Sequence, residues 1–190
     1  ALQQMLSQVE WGKLDALIVD LPPGTGDVQL TLCQKAELSG AIIVSTPQDV
    51  ALLDSRKSIT FANSLKVDVI GVIENMSGYT VRGKAPSGTE IELAAPGGKT
   101  VRVTADDEGH WAGTLDIFKS GGGEKTAEEF GVPFLGKLPF DPGFVRGGDD
   151  GVHRIVSEPD GPASLAFAEV VAQIQSKVES GSTESGLEII

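Results

Sequence analysis

The chain has 190 residues, of which 40% are hydrophobic and 22% charged, a composition typical of one folded globular domain. Its net charge of −12 disfavours binding to nucleic acid phosphates or to anionic lipid, so we expect neither nucleic acid nor membrane among its partners. The single cysteine, Cys33, excludes an internal disulfide and a metal site built only from cysteines of one chain. We therefore expect a cytoplasmic protein, or one of an organellar stroma or matrix.

The first 78 residues alternate helical periodicity with short apolar runs. Runs of this kind, apolar without alternation, are typical of strands buried on both faces of a parallel sheet. The predicted elements are helix 1–12, strand 14–20, helix 28–38, strand 40–46, helix 49–62 and strand 67–75. Their order predicts βαβ units, and so an α/β fold with a mostly parallel sheet and flanking helices.

The pattern then changes and later resumes. Residues 90–93 and 100–104 alternate with a period of two around a Pro-Gly-Gly turn, which predicts a small antiparallel β-hairpin, with a third strand over 111–115. The α/β pattern returns with a helix over 124–130 and a strand over 132–139. A last helix is predicted over residues 160–178, with these side chains buried: Leu165, Phe167, Ala168, Val171, Ile174 and Val178.

Three predicted strands end on polar residues, namely Asp20, Thr46 and Asn75. Ligands bind at the carboxyl ends of the strands in open α/β sheets, so we expect these residues to converge at one edge. An apolar strand that ends in aspartate is the Walker-B arrangement, in which the carboxylate holds Mg²⁺, usually through water. The alternatives are an ordinary strand end at Asp20 and a turn at Asn75.

The loop after Asp20 reads Leu-Pro-Pro-Gly-Thr-Gly-Asp and ends at Asp27. Its glycines allow the backbone to approach a phosphate closely. A rigid connector, with Asp27 as the N-cap of the next helix, is the alternative.

Five motifs in order resemble the Mrp-type iron–sulfur cluster carrier ATPases, a deviant P-loop group with MinD, ParA and the nitrogenase iron protein. The motifs lie at residues 14–32, 46–54, 74–78, 120–125 and 132–139. The resemblance implies a P-loop NTPase-like α/β domain over 1–78 and 117–178. The period-two alternation described above predicts a β-rich insertion over 79–116, and the Ser/Gly/Glu-rich composition predicts a flexible tail over 179–190. The resemblance also implies a homodimer that uses ATP and Mg²⁺ and passes a [4Fe–4S] cluster to apoproteins.

The resemblance assigns roles to single residues. Asp20 would hold the Mg²⁺ shell, and Gly24, Thr25, Gly26 and Asp27 would form the switch that senses the γ-phosphate. In the nucleotide site, Asn75 would hydrogen-bond the adenine. The loop that contains Pro139 and Asp141 would close over the base.

Two departures from the family limit what this chain does alone. No Gly-x-x-x-x-Gly-Lys-[Ser/Thr] P-loop occurs in the 190 residues, and residues 121–126 match it only superficially. Residues 78–83 replace the Cys-x-x-Cys pair that the family uses for the cluster, so no usual cluster ligands are present. We therefore expect a C-terminal portion that is inactive alone, of a protein that hydrolyses ATP and carries clusters. The alternatives are a MinD- or ParA-like positioning ATPase and a binding fragment that works without nucleotide.

Overall fold

A computed structural model describes residues 2–22, 24 and 26–181. The helices are α1 (Leu2–Gln8), α2 (Asp27–Lys35), α3 (Asp49–Ser64), α4 (Gly122–Phe130), α5 (Pro142–Asp150), α6 (Arg154–Ser157) and α7 (Pro162–Gly181). The strands are β1 (Ala41–Ser45), β2 (Val69–Glu74), β3 (Tyr79–Lys84), β4 (Glu90–Ala95), β5 (Lys99–Thr104), β6 (His110–Leu115) and β7 (Phe134–Lys137). None of the described helices is long and apolar enough to cross a membrane.

A parallel three-stranded sheet, in the order β1-β2-β7, forms the centre of the fold and confirms the predicted α/β class. Neighbouring residues of β2 point to opposite faces. Val72 packs with Ile59 of α3 and Ala127 of α4 on one face. Ile73 packs with Val170 of α7 on the other. The sheet is therefore covered on both sides, which explains why its strands read as apolar runs without alternation.

Helix α7 forms as predicted, but its buried face differs from the predicted one. Val170 is 2% exposed and Ala163 is 4% exposed, whereas Leu165 is 53% exposed and Val171 is 41% exposed. Ala168 is exposed too, and Phe167, Ile174 and Val178 are half-buried. The helix carries apolar residues on two overlapping stripes, and helical periodicity alone does not tell which of them faces the sheet.

The predicted strand over residues 14–20 is wrong in this structure. These residues form no regular element and are exposed, and Ile18 is 88% exposed. A strand is stable only when its backbone groups pair with a neighbouring strand. Strand β1 pairs with β2 alone, and no described strand lies along its other edge. The apolar run thus has the composition of a buried strand without the partner that would order it.

Between β2 and α4 lie two small antiparallel sheets, in agreement with the predicted hairpin. Strands β4 and β5 form the inner hairpin, and β3 pairs with β6 around it; β3 itself was not predicted. Gly113 of β6 has no side chain because Leu93 and Val103 of the hairpin occupy the space where a Cβ would lie. Contact between the sheets at this glycine makes residues 79–115 a packed unit rather than a loose loop.

Candidate functional site

Backbone hydrogen bonds join the carboxyl ends of the three parallel strands. The Asn75 N–H donates to Ser45 O over 2.7 Å, and the Leu138 N–H donates to Glu74 O over 2.8 Å. The Ser77 N–H returns to Leu138 O over 2.9 Å. The segments that follow β1, β2 and β7 therefore lie side by side at the edge where open α/β sheets bind their ligands.

Glu74, the last residue of β2, is fully buried and carries the densest set of polar contacts at this edge. Its Oε1 accepts hydrogen bonds from Ser77 Oγ at 2.6 Å and from the Gly121 N–H at 3.0 Å. Its Oε2 accepts one from the Gly123 N–H at 2.7 Å. Gly121 is the N-cap of α4, so the positive end of this helix already holds the chain's own carboxylate.

The glycine-rich start of α4 is explained by this carboxylate. A Cβ at Gly123 would lie 3.0 Å from the Cβ of Glu74, closer than most real Cβ contacts, so Glu74 would have to shift. Gly121 has a φ of +84°, which glycine adopts at no steric cost. Although the run resembles a phosphate loop in sequence, its inner backbone donors bind Glu74 and are not available to a phosphate.

Asn75 is half-buried and stands beside the Glu74 cluster. Its Oδ1 accepts a hydrogen bond from the Met76 N–H at 2.9 Å, and Met76 has a left-handed φ of +56°. This contact belongs to a turn, and a turn is the alternative role that the sequence analysis gave to Asn75. Within the described residues the Nδ2 group makes no hydrogen bond, so the same side chain can form the turn and still donate to a ligand.

The loop after β7, which contains Pro139, lies against the turn that follows β2. The Phe140 N–H donates to Gly78 O over 2.8 Å. The ring of Phe140 meets that of Tyr79 edge-on, with centroids 5.8 Å apart. These contacts hold the loop against Gly78 and Tyr79, in the turn that begins at Asn75. The resemblance implies that this loop closes over a base.

Asp141 ends this loop and is held on both carboxylate oxygens. Oδ1 caps α5 by accepting the Gly143 N–H at 2.7 Å, and Oδ2 accepts Arg154 Nε at 3.0 Å. Partial burial raises the pKa of Asp141, but the Gly143 N–H and the Arg154 guanidinium outweigh it and hold the pKa below its usual value. Arg154 also pairs with Glu158. Asp141 is thus a structural clamp of the loop in this structure.

Asp20 does not lie at the end of a strand. It is exposed and lies in the irregular stretch before α2. The interpretation of Asp27 as N-cap is wrong, since Gly26 is the N-cap and Asp27 is the first helical residue. Thr25 lies outside the described residues, and Gly24 has a φ of +95°. The four switch residues therefore remain predictions as to role.

Gln29, which was not among the predicted site residues, binds the start of the loop that precedes α2. It is only 6% exposed, and its Nε2 donates to Pro22 O at 2.6 Å. A buried amide from the first turn of α2 thus holds the proline-rich segment against the helix.

Metal-binding side chains do not cluster in the described part of the chain. No group of three or more His, Cys, Asp or Glu side chains there is placed to hold a metal ion. Cys33 lies half-buried in α2, and its desolvation raises the pKa of the thiol despite a backbone hydrogen bond that lowers it. Burial therefore disfavours the thiolate, which is the form that binds iron.

Solved structures place this fold among nucleotide-binding P-loop proteins. A nucleotide-binding protein from Archaeoglobus fulgidus in complex with ADP is 30% identical with a TM-score of 0.56, over 87% of this chain and 56% of that one. MinD from Pyrococcus horikoshii, complexed with Mg-ADP, has a TM-score of 0.58 over 98% of this chain and 59% of its own. At 16% identity, that likeness shows the fold alone.

Sequence comparison identifies the family. The model described as ParA, NUBPL iron-transfer P-loop NTPase, matches residues 1–100 and 103–175. The chain belongs to this family. Proteins named iron-sulfur cluster carrier protein are 41% identical to it, over 93% of the chain in Synechocystis and 94% in Methanocaldococcus jannaschii. The chain spans 43% and 52% of those two proteins, about half of their length.

Proposed function

We propose that the whole protein is an ATP-dependent iron–sulfur cluster carrier, and that this chain supplies the base-binding side of its nucleotide site. Family membership supports the general activity, because relatives over nearly the whole chain are named iron-sulfur cluster carrier proteins. The geometry supports the more specific part. The carrying observation is the Asn75 side chain. Its Oδ1 accepts the Met76 N–H in the turn after β2, and that turn contacts Phe140 of the loop through Gly78. Its Nδ2 group has no hydrogen bond among the described residues.

This chain has a suitable group for the adenine side of a nucleotide site but not for the phosphate side. Adenine offers ring nitrogens that accept hydrogen bonds, and the Nδ2 of Asn75 is a suitable donor. Phosphates need a cradle of backbone N–H groups and a lysine, and the start of α4 is filled by Glu74. We propose that the phosphates are bound by residues beyond these 190. Asp20 would then hold Mg²⁺ through water, and residues 24–27 would respond to the γ-phosphate.

The cluster is cargo, and its ligands are not accounted for by this chain. A [4Fe–4S] cluster takes about four thiolates. Each copy of the chain has one cysteine, Cys33, so a homodimer would bring two. We propose that the whole protein is a homodimer that hands clusters to apoproteins, with cluster ligands completed from outside this chain.

Cluster transfer and ATP hydrolysis, measured on the same preparation, test the proposal. The whole protein is loaded anaerobically with iron and sulfide, mixed with a cluster-accepting apoprotein, and followed by visible absorbance with and without ATP. We expect ATP hydrolysis and transfer of the cluster by the whole protein, and no hydrolysis by the 190-residue chain. Stoichiometric iron binding without any transfer, or hydrolysis that never affects transfer, would contradict the proposed function.

A further inference from the structure

A groove runs along the outer side of α3 and reaches the start of α4, where the Gly121 N–H donates to the Glu74 carboxylate. It consists of two adjoining cavities of about 370 and 520 Å³, which share Leu53 and Arg56 as lining residues. The first lies between α3 and the start of α4, and the second continues along α3 to Ser64. We call the two together the α3 groove. The proposed nucleotide and cluster chemistry makes no use of it.

Apolar side chains form part of the α3 groove although nothing described covers them. Leu53 is 53% exposed, and the nearby Val50 on the same helix is 75% exposed. Phe61 lines the far end and is half-buried. The side of α3 that packs on the sheet is a neighbouring stripe that includes Ile59 and Leu52, and Leu52 also lines the first cavity. Helix α3 therefore has a second apolar stripe, which a single-sided surface helix does not need.

The charge of the α3 groove is opposite to that of the chain. Its lining contains four cationic residues, Arg56, Lys57, Lys119 and Lys125, and one carboxylate, Asp49. With Asp54 and Glu129, which pair with Lys57 and Arg56, the four cations face three carboxylates, for a net charge of +1. The whole chain carries −12. A cationic surface on so acidic a chain gives strong local charge contrast, and such contrast sets partner choice and the rate of encounter.

Three of these cations already have carboxylate neighbours, but those pairs are on the surface. Arg56 pairs with Glu129, whose side chain is 49% exposed. Lys119 pairs with Asp49 and Lys57 with Asp54, in both cases with carboxylate side chains more than 70% exposed. Exposed pairs contribute on the order of 0–1 kcal/mol, so an incoming carboxylate can replace them. The side-chain ammonium of Lys125 makes no hydrogen bond or ion pair among the described residues, although its backbone N–H donates to Gly121 O.

We propose that the α3 groove docks an acidic peptide segment of a partner protein, with apolar side chains on Leu53 and Phe61 and carboxylates on the cationic rim. The 16 residues of α3 span about 24 Å, enough for roughly seven extended residues. A long polyanion such as nucleic acid is disfavoured by the −12 field, whereas a short segment carries few charges. A second copy would set like-charged rims against each other.

The test is fluorescence anisotropy with the full chain and a fluorescein-labelled nine-residue peptide of alternating glutamate and leucine. A peptide with glutamine in place of glutamate controls for charge. We expect the glutamate peptide to bind more tightly, and its affinity to fall as salt is raised. Lys125→Glu should weaken binding roughly three- to tenfold, as expected for reversal of one rim charge. Leu53→Ser should also weaken it, because the apolar contact is lost.

Lys99→Glu is the matched control, since it makes the same charge change on the exposed first residue of β5. It should leave peptide affinity unchanged. Thermal melting of every variant confirms that the fold is retained. Equal affinity for both peptides, or equal affinity in Lys125→Glu and the parent, would overturn the proposal. So would a dimer in sedimentation that Leu53→Ser dissociates, because a second copy would then occupy the groove. The inference does not depend on nucleotide binding.

Discussion

Replacing Glu74 should destabilise the whole α/β body, because this one carboxylate joins β2 to the start of α4. It is fully buried and accepts three hydrogen bonds, two of them from backbone N–H groups. Glu74→Ala leaves three donors without an acceptor, and each buried donor left unpaired costs about 1–3 kcal/mol. Glu74→Gln keeps one acceptor oxygen but turns an NH₂ towards a donor, which should cost about 2–3 kcal/mol.

Urea unfolding at neutral pH measures this cost as a fall in the transition midpoint at constant m-value. Glu128→Gln is the matched control, an exposed carboxylate on the same helix α4, and should change stability by less than ~0.5 kcal/mol. The α4 helix should also lose hydrogen-exchange protection first in the Glu74 variants. If Glu74→Gln proves as stable as the Glu128→Gln control, the carboxylate does not hold the helix start as described.

Two further predictions concern the loop clamp and the insertion. The pKa of Asp141 is held low in the folded state, so the stability it contributes is present above the ordinary aspartate pKa and lost as pH falls through the folded value. Acid titration of unfolding should show this loss in the parent and a smaller loss in Arg154→Leu; identical profiles would refute the clamp. Gly113→Val should cost about 1–3 kcal/mol through overlap with Leu93, and hydrogen exchange should locate the loss in β4–β6. Ala112→Val, on the exposed neighbour, should cost much less, and equal costs would argue against the contact between the two sheets.

Periodicity predicted α3 and β2, but not β3, α5 or α6. Helix α3 buries Leu52, Ser55, Ile59 and Ala62, spaced as one helical face, and β2 is apolar because both of its faces are covered. The run over residues 14–20 has the same apolar character yet forms no strand here. The composition of a segment indicates whether it is suited to burial. Whether it forms a strand depends also on a neighbouring strand with which its backbone can pair.

The strand order predicted that Asn75 lies at the carboxyl edge of the sheet, but Asp20, predicted at the same edge, does not follow a strand. The position of Pro139 was implied by the resemblance, and the contacts between residues distant in sequence were missed. Glu74 and Gly123 are 49 positions apart, and Asp141 and Arg154 are 13 apart. Neither spacing has a periodic signature, so no local pattern reveals these contacts. In hindsight, a glutamate at a buried strand end together with a later glycine-rich helix start was the available signal.

The most direct test of the account is the affinity of the whole protein for ATP and GTP, with Asn75 intact and with Asn75→Ala. If the Asn75 amide hydrogen-bonds adenine, the parent protein should bind ATP more tightly than GTP. Asn75→Ala should bind ATP about tenfold more weakly, as expected for the loss of one hydrogen bond of ~1.4 kcal/mol. GTP affinity should change little, so the preference should largely disappear. Unchanged ATP affinity in Asn75→Ala, with the ATP-to-GTP ratio intact, would contradict the assignment of this strand edge to the base.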